Sequence, residues 1–293
     1  MQLLDGKQVS LELQEEIAAK VKKISSSNVE TPHLAAVLVG NNPASESYIR
    51  SKIKACEKVG FKSTLLRFET NISHQELEET VQKLNSDDGV DGILVQLPLP
   101  SQINDEKITA AMSPRKDVDG FHPVNIGRMV KGLSGHLPAT PYGILLLLEY
   151  YKIETSGKHC VVVGRSSIVG TPIAILLSRN TYPGNCSVTI THSKTKNLKD
   201  ICLQADILIA AIGVGNFITQ DMVKEGAVVI DVGINRLKDP TKKSGFKLCG
   251  DVDFSTVAPK CSYITPVPGG VGPLTIAALL MNTLNAFQLR LLD

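Results

Sequence analysis

Apolar and polar positions follow two periods along this chain, and their order predicts helices alternating with strands. Leu13, Ile17, Val21 and Ile24 recur at helical spacing, which predicts an amphipathic helix over 10–25. Short apolar runs bounded by turn residues predict strands over 33–39, 62–68 and 92–97, with helices over 45–59 and 73–84 between them. This order indicates a parallel sheet covered on both faces.

The second half of the chain repeats the pattern around one glycine turn. Gly164 ends an apolar strand that begins at Cys160, and Gly170 opens an apolar helix that reaches Ser178. The free N–H groups of a first helical turn attract an anion, and glycine lets a phosphate approach the backbone. An ordinary strand-to-helix turn without a ligand is the alternative. Further strands are predicted over 187–191, 206–211 and 228–232, with helices over 141–151, 198–204 and 274–289.

The fold class predicted from this order is α/β, with two domains that each contain a parallel sheet and flanking helices. The last helix has no following strand to cover, so we expect it to pack back on the first domain. The predicted domains are 1–141 plus 274–293, and 142–273 as a Rossmann-type unit. The stretch 113–139 is rich in Gly, Pro, Asp and His, shows no sustained period, and is predicted to be irregular.

Composition narrows the function classes. A net charge of +2 argues against a nucleic-acid binder that relies on bulk positive charge. The six cysteines form no C-x-x-C pair and lie beside no histidine at ligand spacing, so we predict reduced thiols and no metal site. No signal peptide or membrane-length apolar run is evident, so a cytoplasmic protein without membrane partners is expected.

The residues after the second strand of the Rossmann-type unit indicate which dinucleotide it binds. An NAD site places an acidic residue there to accept from the ribose hydroxyls, but this chain has the sequence His-Ser-Lys-Thr-Lys over 192–196. Together with Arg165, these donors favour the extra phosphate of NADP. A solvated basic loop is the alternative.

Four further residues suggest chemistry in the first domain. Tyr48 and Lys52 share one face of a predicted helix, and we place this face beside the apolar stripe. A lysine that exchanges a proton and a neighbouring phenol together form an acid/base pair. Gln96 ends a predicted strand, and Asp119 lies in a turn where its carboxylate could accept from an amidine-like ring edge. Taken singly, each of these residues is as consistent with an ordinary surface or turn position as with a catalytic or binding role.

Their combination is more specific. The chain contains, in order, Tyr48-x-x-x-Lys52, Val-Gln-Leu-Pro-Leu-Pro over 95–100, Lys-Asp-Val-Asp-Gly over 116–120, Gly164-Arg165-Ser166 with Val169-Gly170-x-Pro172, Gly-Asp-Val-Asp-Phe over 250–254, and Pro-Val-Pro-Gly-Gly-Val-Gly-Pro over 266–273. Over nearly its whole length it resembles the bifunctional methylenetetrahydrofolate dehydrogenase/cyclohydrolase family.

The resemblance implies two linked reactions. NADP oxidises 5,10-methylenetetrahydrofolate to the methenyl cation, which water converts to 10-formyltetrahydrofolate. Lys52 is then the principal residue of hydrolysis, Tyr48 orients the substrate, Gln96 hydrogen-bonds Lys52, and Asp119 binds the pterin edge. The implied substrate-binding residues are Tyr48, Lys52, Val95, Gln96, Leu97, Asp119, Pro268, Gly269, Gly270, Val271, Gly272 and Pro273. The implied cofactor-binding residues are Gly164, Arg165, Ser166, Val169, Gly170, Ser193, Gly213, Ile234 and Thr275. A homodimer is also implied.

One position departs from the family pattern. Ala139 precedes Thr140 and Pro141 where many relatives carry cysteine, so no thiol chemistry is transferred there. Three other functions stay open at this point: a shikimate- or amino-acid-type dehydrogenase, an NADP-binding sensor without activity, and a dehydrogenase that lacks the hydrolytic step.

Overall fold

A computed structural model describes residues 1–25, 30–239 and 245–292. The strands in that part of the chain are β1 (Gln2–Leu3), β2 (His33–Val39), β3 (Lys62–Phe68), β4 (Gly92–Val95), β5 (His159–Val163), β6 (Ser187–Thr191), β7 (Ile207–Ala210), β8 (Val228–Asp231), β9 (Asn235–Lys238), β10 (Phe246–Cys249) and β11 (Tyr263–Ile264). The α-helices are α1 (Gly6–Ser25), α2 (Pro43–Val59), α3 (His74–Ser86), α4 (Asp105–Ala111), α5 (Pro123–Lys131), α6 (Ala139–Tyr150), α7 (Gly170–Ser178), α8 (Leu198–Cys202), α9 (Phe254–Val257) and α10 (Val271–Arg290).

The chain divides into two compact units. Residues 11–139 and 276–293 form what we call the three-stranded unit, and residues 1–10 and 140–275 form the six-stranded unit. The three boundaries between the units therefore fall inside α1, after the first residue of α6, and inside α10, and each unit is built from two separate stretches of chain.

The three-stranded unit has a parallel sheet in the order β3-β2-β4. Every residue of β2 is buried, because alternate side chains face two different apolar cores. Leu34, Ala36 and Leu38 belong to one core, and Ala35, Val37 and Val39 belong to the other. The helix α10 contributes Leu279, Leu280 and Leu284 to the first of these cores.

The six-stranded unit has a parallel sheet in the order β1-β11-β8-β7-β5-β6. The order changes direction at β5, which lies between β6 and β7, as in doubly wound nucleotide-binding sheets. The antiparallel pair β9–β10 lies outside this sheet and was not predicted. The prediction of an α/β fold with two parallel sheets and flanking helices is confirmed.

The prediction of an irregular stretch over 113–139 was wrong in its centre, where α5 lies. The His122 side chain accepts from the N–H of Val124, Pro123 occupies the first turn, and Gly132 ends the helix in the left-handed region. Asn125 and Met129 are its buried residues. The Gly, Pro, Asp and His residues around α5 are typical of loops, so the composition of the stretch did not indicate a helix there.

Candidate active site

Lys52 is a buried lysine on α2, a helix of the three-stranded unit. Asn42 caps this helix by accepting from the N–H of Ala44 at 2.9 Å, and Pro43 occupies its first turn. The buried residues of the helix are Ser45, Ile49, Lys52, Ala55, Cys56 and Val59. Lys52 thus lies within the apolar stripe rather than beside it, and only 6% of it is exposed.

The ammonium group of Lys52 has two polar neighbours. Its Nζ donates to Oε1 of Gln96 at 3.3 Å and lies 3.9 Å from Oδ1 of Asp119. Gln96 Nε2 donates to the Leu97 carbonyl at 2.7 Å, and this bond turns the amide oxygen toward Lys52. Burial raises the pKa of Asp119, and the positive charge of Lys52 opposes that rise. The structure therefore brings together three of the predicted catalytic residues.

The turn that carries Asp119 is fixed by its neighbour Asp117, to which the sequence patterns assign no role. Asp117 is fully buried and accepts from the N–H groups of Gly120 at 3.1 Å and His122 at 2.7 Å. The side chain of Asn125 also donates to it, at 2.9 Å. These bonds fix the backbone on the C-terminal side of Asp119.

The helix α10 fixes the other side of the same turn. Asn282 Nδ2 donates to the carbonyl oxygens of Val118 at 2.8 Å and Leu137 at 2.9 Å. Asn282 is buried, and it lies far from this turn in sequence. No sequence pattern indicates this contact, because a single asparagine on an apolar helix carries no information about a partner so distant in the chain.

The remaining predicted substrate residues of this unit lie along α2 and after β4. Tyr48 is one turn before Lys52 and 36% exposed, and burial of the rest of the side chain raises the pKa of its phenol. Val95 is the buried last residue of β4, and Leu97 is half-buried two residues later. The carboxyl end of a parallel strand is where open α/β sheets bind ligands.

The glycine turn between β5 and α7 has no room for side chains at two positions. A Cβ atom at Gly164 would lie 2.2 Å from the carbonyl oxygen of Ala211, and one at Gly170 would lie 2.3 Å from that of Gly164. Ser166 Oγ accepts from the N–H groups of Val169 at 3.2 Å and Gly170 at 3.3 Å. This close backbone approach at a helix start suits a dinucleotide phosphate.

Arg165 and Ser193 follow neighbouring strands of the sheet. Val163 and Thr191 are paired in the register of β5 and β6, and the N–H of Gly164 donates to the Thr191 carbonyl at 3.0 Å. Arg165 and Ser193 each lie two residues after these strand ends, and both are exposed. An arginine and a hydroxyl beside a glycine turn, with no acidic residue over 192–197, fit the 2′-phosphate of NADP.

Other predicted residues of the six-stranded unit lie on loops after β7 and β8 and at the start of α10. Gly213 is exposed at φ +71°, and Ile234 is exposed just before β9. Thr275 Oγ1 lies 3.0 Å from Oγ1 of Thr140. A Cβ atom at Gly272 would lie 3.5 Å from Cδ1 of Ile234, so the first turn of α10 and the loop after β8 are close together.

The Pro-Gly block at 266–273 leads into α10 and contacts the start of the chain. Pro268 is exposed and Gly270 is buried, while Val271 to Pro273 form the first turn of the helix, which begins earlier than predicted. Gly269 accepts from the N–H of Lys7 at 2.9 Å, and Pro273 accepts from Ser10 Oγ at 2.8 Å. These contacts place the first ten residues in the six-stranded unit.

The part of the chain that the structure describes contains neither a metal-binding group nor a helix that is both long and apolar enough to cross a membrane. Over 1–25, 30–239 and 245–292, no group of His, Cys, Asp and Glu side chains is arranged to hold a metal ion. Within the same ranges, no helix has the length and apolar character needed to cross a membrane. All six cysteines of the chain lie in the described part, and each is free and buried.

Comparison with known proteins gives two family matches. The family model described as "Tetrahydrofolate dehydrogenase/cyclohydrolase, catalytic domain" matches residues 4–119, and the one described as "Tetrahydrofolate dehydrogenase/cyclohydrolase, NAD(P)-binding domain" matches residues 138–291. A curated relative, the bifunctional protein FolD of Cytophaga hutchinsonii, is 61% identical over 290 residues, covering 99% of this chain and 100% of the relative.

Solved structures agree with this result. The bifunctional FolD methylenetetrahydrofolate dehydrogenase/cyclohydrolase of Campylobacter jejuni has a TM-score of 0.93 and 49% identity, covering 99% of each chain. The Trypanosoma brucei enzyme, solved with NADP cofactor and inhibitor, has a TM-score of 0.93 and 35% identity, covering 99% of this chain and 98% of that one.

Proposed function

Because the chain belongs to the tetrahydrofolate dehydrogenase/cyclohydrolase family, we propose that it oxidises 5,10-methylenetetrahydrofolate with NADP and hydrolyses the product to 10-formyltetrahydrofolate. Membership of this family argues against a shikimate-type enzyme. The buried Lys52 with its two polar neighbours argues against a sensor without activity. A dehydrogenase that lacked the hydrolytic step would not need this lysine.

The observation that carries the proposal is the environment of Lys52. A lysine in an apolar stripe is costly unless its ammonium is paired and hydrogen-bonded, and this one has a neutral amide oxygen and a carboxylate within 4 Å. These two oxygens hold Nζ of Lys52 at one defined point, from which it can act on a reacting group. A purely structural role would be served equally well by an apolar residue.

In the hydrolytic step, Lys52 manages the proton of the attacking water. The water oxygen bonds to the methenyl carbon, and Lys52 in its amine form accepts the proton that leaves. The bond between that carbon and N5 then breaks, N5 takes one proton, and the formyl group stays on N10. One water is consumed and one proton is released overall. Gln96 keeps the Lys52 side chain in place through the 3.3 Å hydrogen bond.

Asp119 and Tyr48 bind the substrate in this proposal. The Asp119 carboxylate accepts from the N–H groups of the pterin edge, and Asp117 and Asn282 fix the turn on which it lies. Tyr48, one turn from Lys52, orients the folate ring. Val95 and Leu97 continue the binding surface after β4. The block from Pro268 through Gly269, Gly270, Val271 and Gly272 to Pro273 is proposed as a further set of substrate-binding residues.

The six-stranded unit binds NADP in this proposal. The dinucleotide accepts a hydride from the methylene carbon, a step that needs alignment and no acid or base. The glycine turn from Gly164 to Gly170 binds the pyrophosphate through backbone N–H groups. Arg165 and Ser193 bind the 2′-phosphate, and Gly213, Ile234 and Thr275 contact the rest of the dinucleotide.

We further propose a cytoplasmic homodimer, as the family resemblance implies. Six buried free thiols agree with a reducing compartment. Size-exclusion chromatography with light scattering tests the dimer directly, and a monomer at micromolar concentration would contradict it.

The test of the function is a spectrophotometric assay that supplies 5,10-methylenetetrahydrofolate with NADP or NAD and follows the methenyl absorbance. Formation of the methenyl species with NADP supports the dehydrogenase, and its faster decay in the presence of enzyme supports the cyclohydrolase. Absence of both signals would refute the proposal.

A further inference from the structure

The motif Gly-Asp-Val-Asp-Phe at 250–254 places a buried carboxylate beneath two loops of the six-stranded unit. Asp251 is fully buried just after β10. Its Oδ2 accepts from the N–H groups of Ile212 at 2.7 Å and Gly213 at 2.9 Å. Its Oδ1 accepts from Nδ2 of Asn235 at 2.9 Å. One side chain therefore joins the loop after β7 to the segment that follows β8.

Both joined segments carry residues that we assign to the dinucleotide. Gly213 is itself one of them, and Ile234 precedes Asn235 in the chain. A Cβ atom at Gly213 would find no heavy atom within 4 Å, so no side-chain packing fixes the backbone at Gly213 itself. The backbone at 212–213 donates two hydrogen bonds to Asp251, and these bonds fix it.

A second buried carboxylate fixes Asp251 in turn. Asp231, the last residue of β8, accepts from the N–H groups of Asp251 at 2.9 Å, Val252 at 2.9 Å and Gly233 at 3.0 Å. Asp231 is 3% exposed. The backbone of Asp251 is thus fixed from the sheet, and its side chain fixes the two loops.

Two glycines leave the space that these carboxylates occupy. A Cβ atom at Gly250 would lie 1.8 Å from Oδ2 of Asp231, and one at Gly233 would lie 2.2 Å from Oδ1 of Asp251. Neither distance is possible for real atoms, so both positions require glycine as long as the carboxylates are present. The arrangement is a built feature of the loop region and not a chance contact.

We propose that Asp251 is a positioning residue for the dinucleotide: it sets cofactor affinity by fixing the backbone at 212–213 and the Asn235 side chain, without touching the reacting atoms. The inference rests on the proposed function in assigning NADP to this unit. A carboxylate suits the task because it accepts two backbone N–H groups on one oxygen and a side-chain amide on the other.

The test compares Asp251→Ala with Asp251→Asn by calorimetric titration of NADP. We expect Asp251→Ala to raise the dissociation constant about 10-fold or more, since both loop N–H groups lose their acceptor. In Asp251→Asn the amide oxygen replaces Oδ2, and Asn235 turns its own amide to present oxygen, so the constant rises by no more than about threefold. Asp253→Ala is the matched control, because Asp253 accepts from Ser255 and Thr256 instead and should leave the constant unchanged.

Two further measurements separate positioning from general damage. Hydrogen exchange of the 212–213 amides without cofactor should speed up in Asp251→Ala and stay slow in Asp251→Asn. Cyclohydrolase turnover of supplied 5,10-methenyltetrahydrofolate should stay within about twofold in both, since the Lys52 group lies in the other unit. An unchanged NADP constant in Asp251→Ala, or equal loss of both activities, would overturn the inference.

A fallback variant keeps the test decisive if Asp251→Ala does not fold. Asn235→Ala removes one bond to Asp251 and should weaken NADP binding about threefold, and an unchanged constant would overturn the inference. Wild-type protein that binds NADP but does not turn over folate would refute the proposed function alone. Wild-type protein that does not bind NADP would refute both.

Discussion

Asn282 on α10 donates to the carbonyl oxygen of Val118 at 2.8 Å, and Val118 directly precedes Asp119. We expect Asn282→Ala to leave two buried carbonyls without this donor and to lower the free energy of unfolding by about 1 to 3 kcal/mol. It should also raise the KM for the folate several-fold while leaving the KM for NADP unchanged. Urea unfolding and steady-state kinetics measure the two effects.

Gln288→Ala is the control on the same helix, because Gln288 is exposed, and it should change neither quantity. A loss of stability in Asn282→Ala with an unchanged folate KM would mean that Asn282 serves the fold without positioning Asp119.

Replacing the buried lysine should separate the two activities. Lys52→Met retains the length of the side chain and removes the proton-transferring group, so cyclohydrolase turnover should fall at least about 100-fold. Some dehydrogenase activity should survive, since hydride transfer needs no base. The assay supplies the methenyl and methylene substrates in separate reactions. Lys54→Met, at an exposed position of α2, is the control and should retain both activities. Hydrolysis by Lys52→Met near the wild-type rate would refute the role of Lys52 in the hydrolytic step.

Arg165 should discriminate between the two dinucleotides. Arg165→Ala removes a charge-assisted contact to the 2′-phosphate, so the KM for NADP should rise by a factor that corresponds to about 1 to 3 kcal/mol of lost binding free energy. The KM for NAD should hardly change, because NAD lacks that phosphate. Arg179→Ala, at the end of α7 and outside the turn, is the control. An equal effect of Arg165→Ala on both cofactors would refute the role.

Close backbone approach makes Gly164 more sensitive to substitution than Gly157, which also has positive φ. Gly164 has φ +123°, and its Cβ would meet the Ala211 carbonyl at 2.2 Å. We expect Gly164→Ala to lower the free energy of unfolding by about 2 to 4 kcal/mol and to abolish NADP binding. Gly157→Ala, at φ +71° in open space, should reduce stability by only about 1 kcal/mol. Thermal unfolding and calorimetry compare the two, and equal losses would contradict the packing argument.

Asp231 should make stability depend on pH. Burial raises the pKa of Asp231 from 3.8 to about 6. The hydrogen bonds that it accepts from three backbone N–H groups lower the pKa and so oppose part of this rise. Because the folded protein binds this proton more tightly than the unfolded chain, the stability contributed by the group is present below about pH 4 and is lost as pH rises through about 6. Urea midpoints over this window should fall less steeply in Asp231→Asn than in wild type. Asp200→Asn, at an exposed position of α8, should follow wild type.

Elements with a strong period were predicted from the sequence. The strands β2, β3 and β6 and the helix α7 occur at the predicted residues, because an apolar run bounded by turn residues determines them locally. The helix α5 and the pair β9–β10 were missed. The helix lies among Gly, Pro, Asp and His residues that are typical of loops. The two strands of the pair are largely exposed, so no apolar pattern marks them.

The residues that the structure brings together around Lys52 were named from the sequence, and the residues that hold their backbone in place were not. The prediction that Lys52 lies beside the apolar stripe follows the rule that a charged residue faces solvent, although its spacing from Ile49 and Cys56 puts it in the stripe. Asp251 binds the loop at 212–213, which lies 38 and 39 residues earlier in the chain. No local pattern reports a partner at that separation.

The path of the chain also affects the order in which the two units can be completed during synthesis. The three-stranded unit takes Leu279, Leu280 and Leu284 into its core, so the ribosome must reach residue 284 before that core can be completed. The six-stranded unit needs nothing beyond residue 275. Although domains ordinarily fold in the order of translation, here the unit that is encoded mostly in the second half has all its residues first, and the one that contains Lys52 is finished last.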